Sequence, residues 1–325
     1  MLGLFPDSCD GHNSDSVMIE TLIRQLATGN RVEKTAELEV ALHELGIAFR
    51  AQNQHIELVA PLELLDETTL RAGISEPARK LITQLDVEWQ IGSTNTELMA
   101  RKKDAYFNGC ICVAEQQTAG KGRRGRSWIS PFASNIYVSF GWRIPRQNMA
   151  EALSLYIGMN LVDCLREAGL EDVGMKWPND IIVGQGKLAG ILIELELTAS
   201  SAYVVAGIGV NLSKEPVLRE GPGQLVSAVA DQLSLGRNAL CSLIIDRMVM
   251  SMNEVSSHHI AERIAEWPKY DRYSGKEVVV HRGDEQILGI NGGIDERGNL
   301  LLDLGTEIRS FGSGEVSLRK TESNL

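Results

Sequence analysis

The sequence predicts an α+β protein with a mixed central β-sheet flanked by helices, a small helical unit before it and a small β-barrel after it. Three observations predict this order. Two helical patterns and a hairpin pattern come first, strands and helices then alternate to about residue 270, and short strands between Gly, Asp and Asn turns follow. The 325 residues exceed what one hydrophobic core usually spans, so several domains are expected.

The first part of the chain is small and acidic. Residues 1–17 are rich in Asp, Ser, Gly and Asn, which is typical of a disordered tail. Residues 18–68 hold two helical patterns and a hairpin, which predict a small winged-helix-like domain. Residues 1–70 carry 12 acidic and 4 basic side chains, and the second helix has glutamates where a DNA-reading helix needs Lys or Arg. We therefore expect this domain to be degenerate, without specific DNA binding.

The central domain is predicted over residues 69–272. Helical patterns occur in the polar connector, at 149–169 with Gly169 as a stop, and in two segments near the end of the domain. Apolar alternation and short apolar runs predict strands at 87–91, 110–117, 135–144 and in the segments VGMKW, DIIV, KLAGILIELEL and YVVAGIGVNL. Residues 273–325 carry four short strand patterns separated by turns, which predict a small β-barrel.

Composition excludes several classes of protein. A net charge of -11 argues against non-specific binding to nucleic acid or to an anionic membrane surface. The start of the chain lacks a secretory signal pattern, and no apolar run approaches the roughly 18 residues that span a bilayer. The histidines form no spaced ligand set, and no CxxC pair occurs among Cys9, Cys110, Cys112, Cys164 and Cys241. Free buried thiols, no metal site and a cytoplasmic location are expected.

The densest positive charge lies in a glycine-rich stretch, GKGRRGRSW, from Gly120 to Trp128. Glycines let a backbone approach a ligand closely, and cationic side chains attract phosphate or carboxylate groups. The stretch is neither a P-loop nor a dinucleotide-binding fingerprint. Taken alone, it is also compatible with a solvated basic turn.

Four other stretches favour a binding site. GSTN (92–95) follows a strand with hydroxyl and amide groups that suit a neutral polar ligand. In KWPND (176–180), a lysine and an aspartate of opposite charge can point into one cleft. GKLAGIL (186–192) places Lys187 at a strand start, with a glycine that leaves room for a ligand, and GIGVN (207–211) ends a strand with two glycines and an amide.

The segments AEQQTAGKGRRGRSWISP, MKWPNDIIVGQGKLAGILIEL, VVAGIGVNL and GEVSLR resemble the biotin–protein ligases. Their order and spacing are similar to those of the bacterial enzymes that also act as biotin repressors, over roughly residues 86–320. The resemblance implies a class II synthetase-like catalytic sheet and an SH3-like C-terminal barrel. It also implies biotin and ATP as substrates, with Mg²⁺ accompanying ATP. The implied partners are the biotin carboxyl carrier protein of acetyl-CoA carboxylase and, with adenylate bound, a second copy of the chain.

Carried over by position, the resemblance implies roles for individual residues. The implied catalytic residues are Lys187, Lys176, Asp180 and Arg123. The implied biotin contacts are Ser93, Thr94, Asn95, Gln117, Gly120, Lys121, Gly122, Arg123, Lys187 and Gly190. The implied ATP or adenylate contacts are Trp128, Asn179, Asn211, Glu315 and Arg319.

Two of these roles have alternatives. Trp128 is either a lid over the adenine or an ordinary core tryptophan. Asp180 either orients or deprotonates the acceptor lysine, or is a structural carboxylate of a turn.

The sequence departs from the family pattern at two places. Lys121 stands where the family usually has Arg, which keeps the charge but loses the planar two-pronged donor. The N-terminal domain lacks about a dozen residues, roughly one helix and a turn. The function implied is therefore a biotin–protein ligase, with a bifunctional ligase and repressor as the alternative. A lipoate ligase and a non-catalytic biotin sensor are less well matched by KWPND, GKGRRGRSW and the retained lysines.

Overall fold

A computed structural model gives the fold and describes residues 12–146, 152–212, 229, 232–255, 257–313 and 317–320. The N-terminal unit consists of two helices and a three-stranded antiparallel sheet in the order β1-β3-β2. Leucine and isoleucine side chains of both helices pack against Ile56 of the hairpin in a small core of their own. Its elements are α1 (His12–Ala27), β1 (Val32–Glu33), α2 (Ala36–Glu44), β2 (Phe49–Gln52) and β3 (His55–Leu58).

Helix α1 begins at His12, so the prediction of a disordered tail is wrong for residues 12–17. The polar composition that suggested a tail is equally compatible with the first turns of a helix. Residues 1–11 lie outside the described part of the chain.

The central domain is a seven-stranded mixed sheet in the order β4-β5-β6-β10-β9-β8-β7. Strands β4 and β5 are parallel, and the other neighbours are antiparallel. Its strands are β4 (Gln84–Ile91), β5 (Cys110–Gln117), β6 (Ile136–Pro145), β7 (Val173–Lys176), β8 (Asp180–Val183), β9 (Gly186–Leu197) and β10 (Ser201–Val210). Its helices are α3 (Glu67–Gly73), α4 (Glu76–Leu81), α5 (Thr94–Ala100), α6 (Leu153–Glu167), α7 (Arg237–Asn253) and α8 (Ser257–Ala265).

The two faces of the sheet differ. The alternating apolar residues of β6 face the large core shared with α6 and α7, as the period-2 pattern predicts. The opposite side chains of β6, Tyr137 and Ser139, face the side on which α5 lies. Helix α6 stops just before Gly169, whose φ of 106° only glycine adopts readily.

The central domain begins before residue 69. Glu63 Oε2 accepts a hydrogen bond of 2.7 Å from the backbone N–H of Arg237, at the start of α7, and Leu65 lies in the large core. Arg237 forms a buried ion pair with Glu115 of β5, with 2.6 Å between Nη1 and Oε2. The segment from residue 63 onward is therefore fixed to the central domain.

The C-terminal unit is a five-stranded antiparallel sheet in the order β14-β13-β12-β11-β15. Its buried side chains, such as Val280 and Leu302, are continuous with the core of the central domain. The buried Trp177 indole N–H donates a 2.9 Å hydrogen bond to the Gly298 carbonyl and joins the two units. The strands are β11 (Glu277–Arg282), β12 (Glu285–Ile294), β13 (Leu300–Asp303), β14 (Ile308–Phe311) and β15 (Ser317–Lys320).

None of the helices in the described ranges combines the length and the apolar character needed to cross a membrane.

Candidate active site

A small cavity lies where the first turn of α5, the end of β5, the glycine-rich loop, and strands β9 and β10 meet. Its volume is about 60 Å³. A larger cavity of about 540 Å³ lies between the glycine-rich loop and residues Leu192 and Glu194 of β9. Eleven of the residues implied by the resemblance line the small cavity: Ser93, Thr94, Asn95, Gln117, Lys121, Gly122, Arg123, Trp128, Asn179, Lys187 and Gly190.

One end of the small cavity is polar and neutral. Ser93, Thr94 and Asn95 are buried at the N-terminus of α5, directly after β4. The Thr94 backbone N–H donates to Gln117 Oε1 over 3.0 Å. Ser139 Oγ lies 2.7 Å from both Thr94 Oγ1 and Asn95 Oδ1, but its single proton can serve only one of them. An amide oxygen can accept two hydrogen bonds, so Asn95 Oδ1 beside Ser139 retains acceptor capacity for a ligand that carries N–H groups.

The Gln117 side chain also fixes the far end of the glycine-rich loop. Its Nε2 donates to Ser130 Oγ over 3.1 Å, and Ser130 Oγ donates to the Trp128 carbonyl. A Cβ at Gly120 would lie 2.4 Å from that same carbonyl, so a glycine is required for the two ends of the loop to lie side by side.

The other end of the cavity is cationic. Lys187 Nζ lies 3.3 Å from Asp180 Oδ1, and Lys176 Nζ lies 3.9 Å from Asp180 Oδ2. All three side chains are largely buried, and the antiparallel pairing of Lys176 with Asp180 in β7 and β8 sets their spacing. In these two ion pairs, two lysines face one carboxylate, an arrangement that suits a carboxylate or phosphate of the ligand.

Arg123 connects the glycine-rich loop with two other parts of the molecule. Its guanidinium donates to Asn179 Oδ1 over 2.8 Å and to the backbone carbonyl of Ser313 in the C-terminal unit. Asn179 is held in turn by a hydrogen bond of 2.9 Å from Nδ2 to the Ile191 carbonyl. Burial lowers the pKa of the Arg123 guanidinium, and the charge of Asp180 opposes this effect.

The Trp128 indole lies between the neutral end and the cationic end of the small cavity, against two glycines. A Cβ at Gly209 would lie 2.5 Å from its Cε2, and one at Gly190 would lie 2.9 Å from its Cζ3. Lys187 Nζ stands 4.8 Å from the ring centre, a cation–π distance. The residue is only 8% exposed, and among the described residues its Nε1 has no hydrogen-bond partner. The volume that remains beside the indole, about 60 Å³, is that of a few water molecules.

The remaining implied residues are not among those that line the small cavity. Gly120, Lys176 and Asp180 adjoin the cavity through the contacts above. Asn211 binds the start of β9, with its backbone N–H 2.8 Å from the Leu188 carbonyl. Glu315 lies outside the described residues, and Arg319 lies in β15 with its side chain outside them.

Sequence reasoning missed several residues of the site. Tyr137 lines the cavity, and Ser139 and Glu194 hydrogen-bond to its lining. The signal for Ser139 was present, since it is a small hydroxyl on an otherwise apolar strand. The alternating glycines of GIGVN, Gly207 and Gly209, also line the cavity, and their spacing places both on one face of β10.

Comparison with known proteins identifies the family. The sequence profile of the biotin/lipoate A/B protein ligase family matches residues 88–211, and that of the biotin protein ligase C-terminal domain matches residues 273–319. The bifunctional ligase/repressor BirA of Escherichia coli strain K12 is 36% identical over 296 residues, which cover 86% of this chain and 91% of that protein. The chain belongs to the biotin/lipoate A/B protein ligase family. The resemblance found in the sequence is thereby confirmed.

Other members of the family are similar over much of their length. The biotin–[acetyl-CoA-carboxylase] ligase of Mycobacterium tuberculosis strain H37Rv is 32% identical over 265 residues, which cover 78% of this chain and 95% of that protein. The structure of the Aquifex aeolicus biotin protein ligase in complex with biotin and ATP aligns with a TM-score of 0.61 at 24% identity. That alignment covers 73% of this chain and 99% of the other. It confirms the predicted α+β fold of the family.

Proposed function

We propose that the chain is a biotin–protein ligase, which activates biotin with ATP and transfers it to a lysine of the biotin carboxyl carrier protein of acetyl-CoA carboxylase. The observation that carries this proposal is the polarity of the cavity. A neutral end rich in hydroxyl and amide groups lies next to a cationic end, which suits a molecule with a cyclic urea at one end and a carboxylate at the other. The names of the similar ligases support the same substrates.

The first step forms biotinyl-5′-adenylate. The ring of biotin lies among Thr94, Asn95 and Gln117, and its carboxylate points toward Lys187. A carboxylate oxygen attacks the α-phosphorus of ATP, the bond from that phosphorus to the bridging oxygen breaks, and pyrophosphate leaves. The chain contributes positioning and neutralisation of charge, by Lys187 and Lys176 at the cationic end and by Arg123 from the loop.

The second step forms the amide. The acceptor lysine is protonated at neutral pH because its ordinary pKa is about 10.4, so its amine must lose a proton before it attacks. Asp180, already bound to two lysines, is suited to receive and orient this third ammonium group. After the ammonium group loses one proton, the amine attacks the carbonyl carbon of the adenylate, the carbon–oxygen bond to the phosphate breaks, and AMP leaves. The nitrogen gives up a second proton to solvent as the amide forms.

Across the described ranges, no three His, Cys, Asp or Glu side chains converge as a metal site. We propose that Mg²⁺ accompanies ATP, bound to its phosphates, where it would neutralise part of their charge. Because the reaction consumes ATP, we place the enzyme in the cytoplasm.

The alternative function is a ligase that also represses transcription, and the similarity to the E. coli ligase/repressor favours it. The negative charge of the N-terminal unit argues against this alternative. Helix α2 carries Glu37, Glu39 and Glu44, which repel DNA phosphates. We propose that operator DNA is not bound specifically. A gel shift with the biotin operator of the source genome, with adenylate present, tests this, and tight sequence-specific binding would contradict it.

We also propose that adenylate binding promotes a homodimer. Leu195 and Leu197, at the end of β9, are 46% and 48% exposed, an apolar surface that a second copy can cover. Sedimentation with and without adenylate tests this, and an unchanged monomer at high protein concentration would contradict it.

Biotin-dependent exchange of label between pyrophosphate and ATP tests the first step directly. We expect exchange with biotin and none with lipoate. Exchange with lipoate alone supports a lipoate ligase instead. Biotin binding without any exchange supports a non-catalytic sensor.

A further inference from the structure

Glu194 contacts two residues that lie on different elements of the cavity wall. It is on β9, and its side chain is 32% exposed. Its Oε2 accepts a hydrogen bond of 2.9 Å from Asn95 Nδ2, at the N-terminus of α5. Its Oε1 lies 3.8 Å from Lys121 Nζ, in the glycine-rich loop.

The contact with Asn95 determines which way the amide faces. An ionised carboxylate only accepts hydrogen bonds, so the NH₂ of Asn95 must face Glu194. The carbonyl Oδ1 is then on the opposite side, 2.7 Å from Ser139 Oγ. The other restraint on the NH₂ is the Leu192 carbonyl at 3.4 Å, which is a long hydrogen bond. Without Glu194, the amide is oriented only by this long bond and by the Ser139 hydroxyl, which can either donate or accept, so a turned amide becomes more favourable.

The contact with Lys121 is weaker and of a different kind. Lys121 is about half exposed, so the ion pair is screened by solvent and contributes little to stability. It does tie the glycine-rich loop to β9, on the border between the small and the larger cavity.

We propose that Glu194 is a positioning residue for biotin recognition, which makes Asn95 present its oxygen to the ligand and restrains the loop through Lys121. Asn95 then offers an acceptor to an N–H of the cyclic urea, and a turned amide would oppose that N–H with its own. The inference rests on the proposed function, because it takes biotin as the ligand.

The two roles separate in the variants Glu194→Ala and Glu194→Gln. Glu194→Ala removes both contacts, and we expect biotin alone to bind about tenfold more weakly by calorimetry, which is about 1.4 kcal/mol. The maximal rate of pyrophosphate exchange should change less than about twofold, because the lysines of the cationic end are untouched. Glu194→Gln still offers an acceptor to Asn95, so biotin affinity should stay within about threefold of wild type. Its adenylate should leave about twofold faster, because the ion pair between residue 194 and Lys121 is lost.

A matched control is available two residues along the same strand. Glu196 pairs with Lys102 at 2.7 Å, and its side chain is half exposed. Glu196→Ala and Glu196→Gln should leave biotin affinity and adenylate release unchanged. Thermal unfolding of each variant checks that it is folded.

Exchanging the donor and the acceptor between residues 95 and 194 gives a second test, which does not shorten either side chain. Asn95→Asp places two carboxylates together and should weaken biotin binding by more than about tenfold. Adding Glu194→Gln restores a donor–acceptor pair, with the amide now on β9, and should recover at least half of that loss on a logarithmic scale.

Several outcomes overturn the proposal. Unchanged biotin affinity in Glu194→Ala does so, as does equal weakening in Glu194→Ala and Glu194→Gln, or a double variant no better than Asn95→Asp. A fall in maximal rate as large as the fall in affinity would show general damage to the site. Failure of the proposed function is distinguishable, because it would appear in the wild-type protein as absence of biotin binding or of exchange.

Discussion

Lys187→Met removes the cation closest to the expected position of the reacting carboxylate. Lys187 Nζ lies 3.3 Å from Asp180 Oδ1, and its side chain is only 10% exposed, so water screens its charge little. A hydrogen bond to a charged group contributes about 1.5–3 kcal/mol, and about 1.4 kcal/mol corresponds to tenfold in rate. We therefore expect kcat/KM for biotin in pyrophosphate exchange to fall by about 10- to 150-fold.

The assay measures exchange at saturating ATP over a range of biotin concentrations, and thermal unfolding checks the fold. Asp180 keeps Lys176 as a partner in the variant, so no isolated buried charge remains to unfold the protein. Lys102→Met is the matched control, since it removes a lysine from an ion pair with the half-exposed Glu196 and should change the rate less than about twofold. A folded Lys187→Met enzyme within threefold of wild type would refute the reasoning.

Lys121→Arg should retain exchange activity and slow the release of the adenylate, because a guanidinium can hold a phosphate with two parallel hydrogen bonds; equal or faster release would count against this. Burial raises the pKa of Glu63, but hydrogen bonds from Asn238 and Arg237 outweigh it and lower the pKa below 4.5. The resulting stabilisation is present above that value and is lost as the pH falls through the lowered pKa. Because Glu63 is exposed and its charge is screened by solvent, Glu63→Gln should lower the free energy of unfolding in urea by only about 0.5 kcal/mol at neutral pH, and by less in acid. A loss of stability that does not depend on pH would contradict this role of the Glu63 carboxylate. Burial raises the pKa of Cys110 to about 11, which leaves about one thiolate in 1,000 at pH 8. A thiol reagent should therefore label Cys110 only after the protein unfolds. Rapid labelling of Cys110 in the native protein would contradict its burial.

Local patterns predicted much of the fold. The strand predicted at 110–117 is β5 with the same bounds, and the apolar face of β6 packs on the core as its alternation required. The start of α1 was missed because polar residues fit both a tail and the first turns of a helix.

Many of the residues that the sequence singled out line one cavity, but the sequence did not predict the contacts between them. The motifs indicated that residues from Ser93 to Lys187 belong to one binding site, and many of them line the same cavity. The hydrogen bonds of Asn95 to Ser139 and Glu194 were not predicted, since they join residues 44 and 99 positions apart in the sequence. Such contacts depend on the strand order β6-β10-β9, in which non-consecutive strands are neighbours. Periodicity within a strand gives the face of a residue but not its neighbour on another strand. The buried position of Trp128 could not be predicted from local sequence for the same reason, because it depends on glycines of β9 and β10.

The most direct test of the central claim is the mass of a biotin carboxyl carrier domain after incubation with this protein, biotin and ATP. We predict that the carrier gains one biotinyl group on its acceptor lysine, only when both biotin and ATP are present. An unmodified carrier, or a carrier modified with lipoate in place of biotin, would contradict the account.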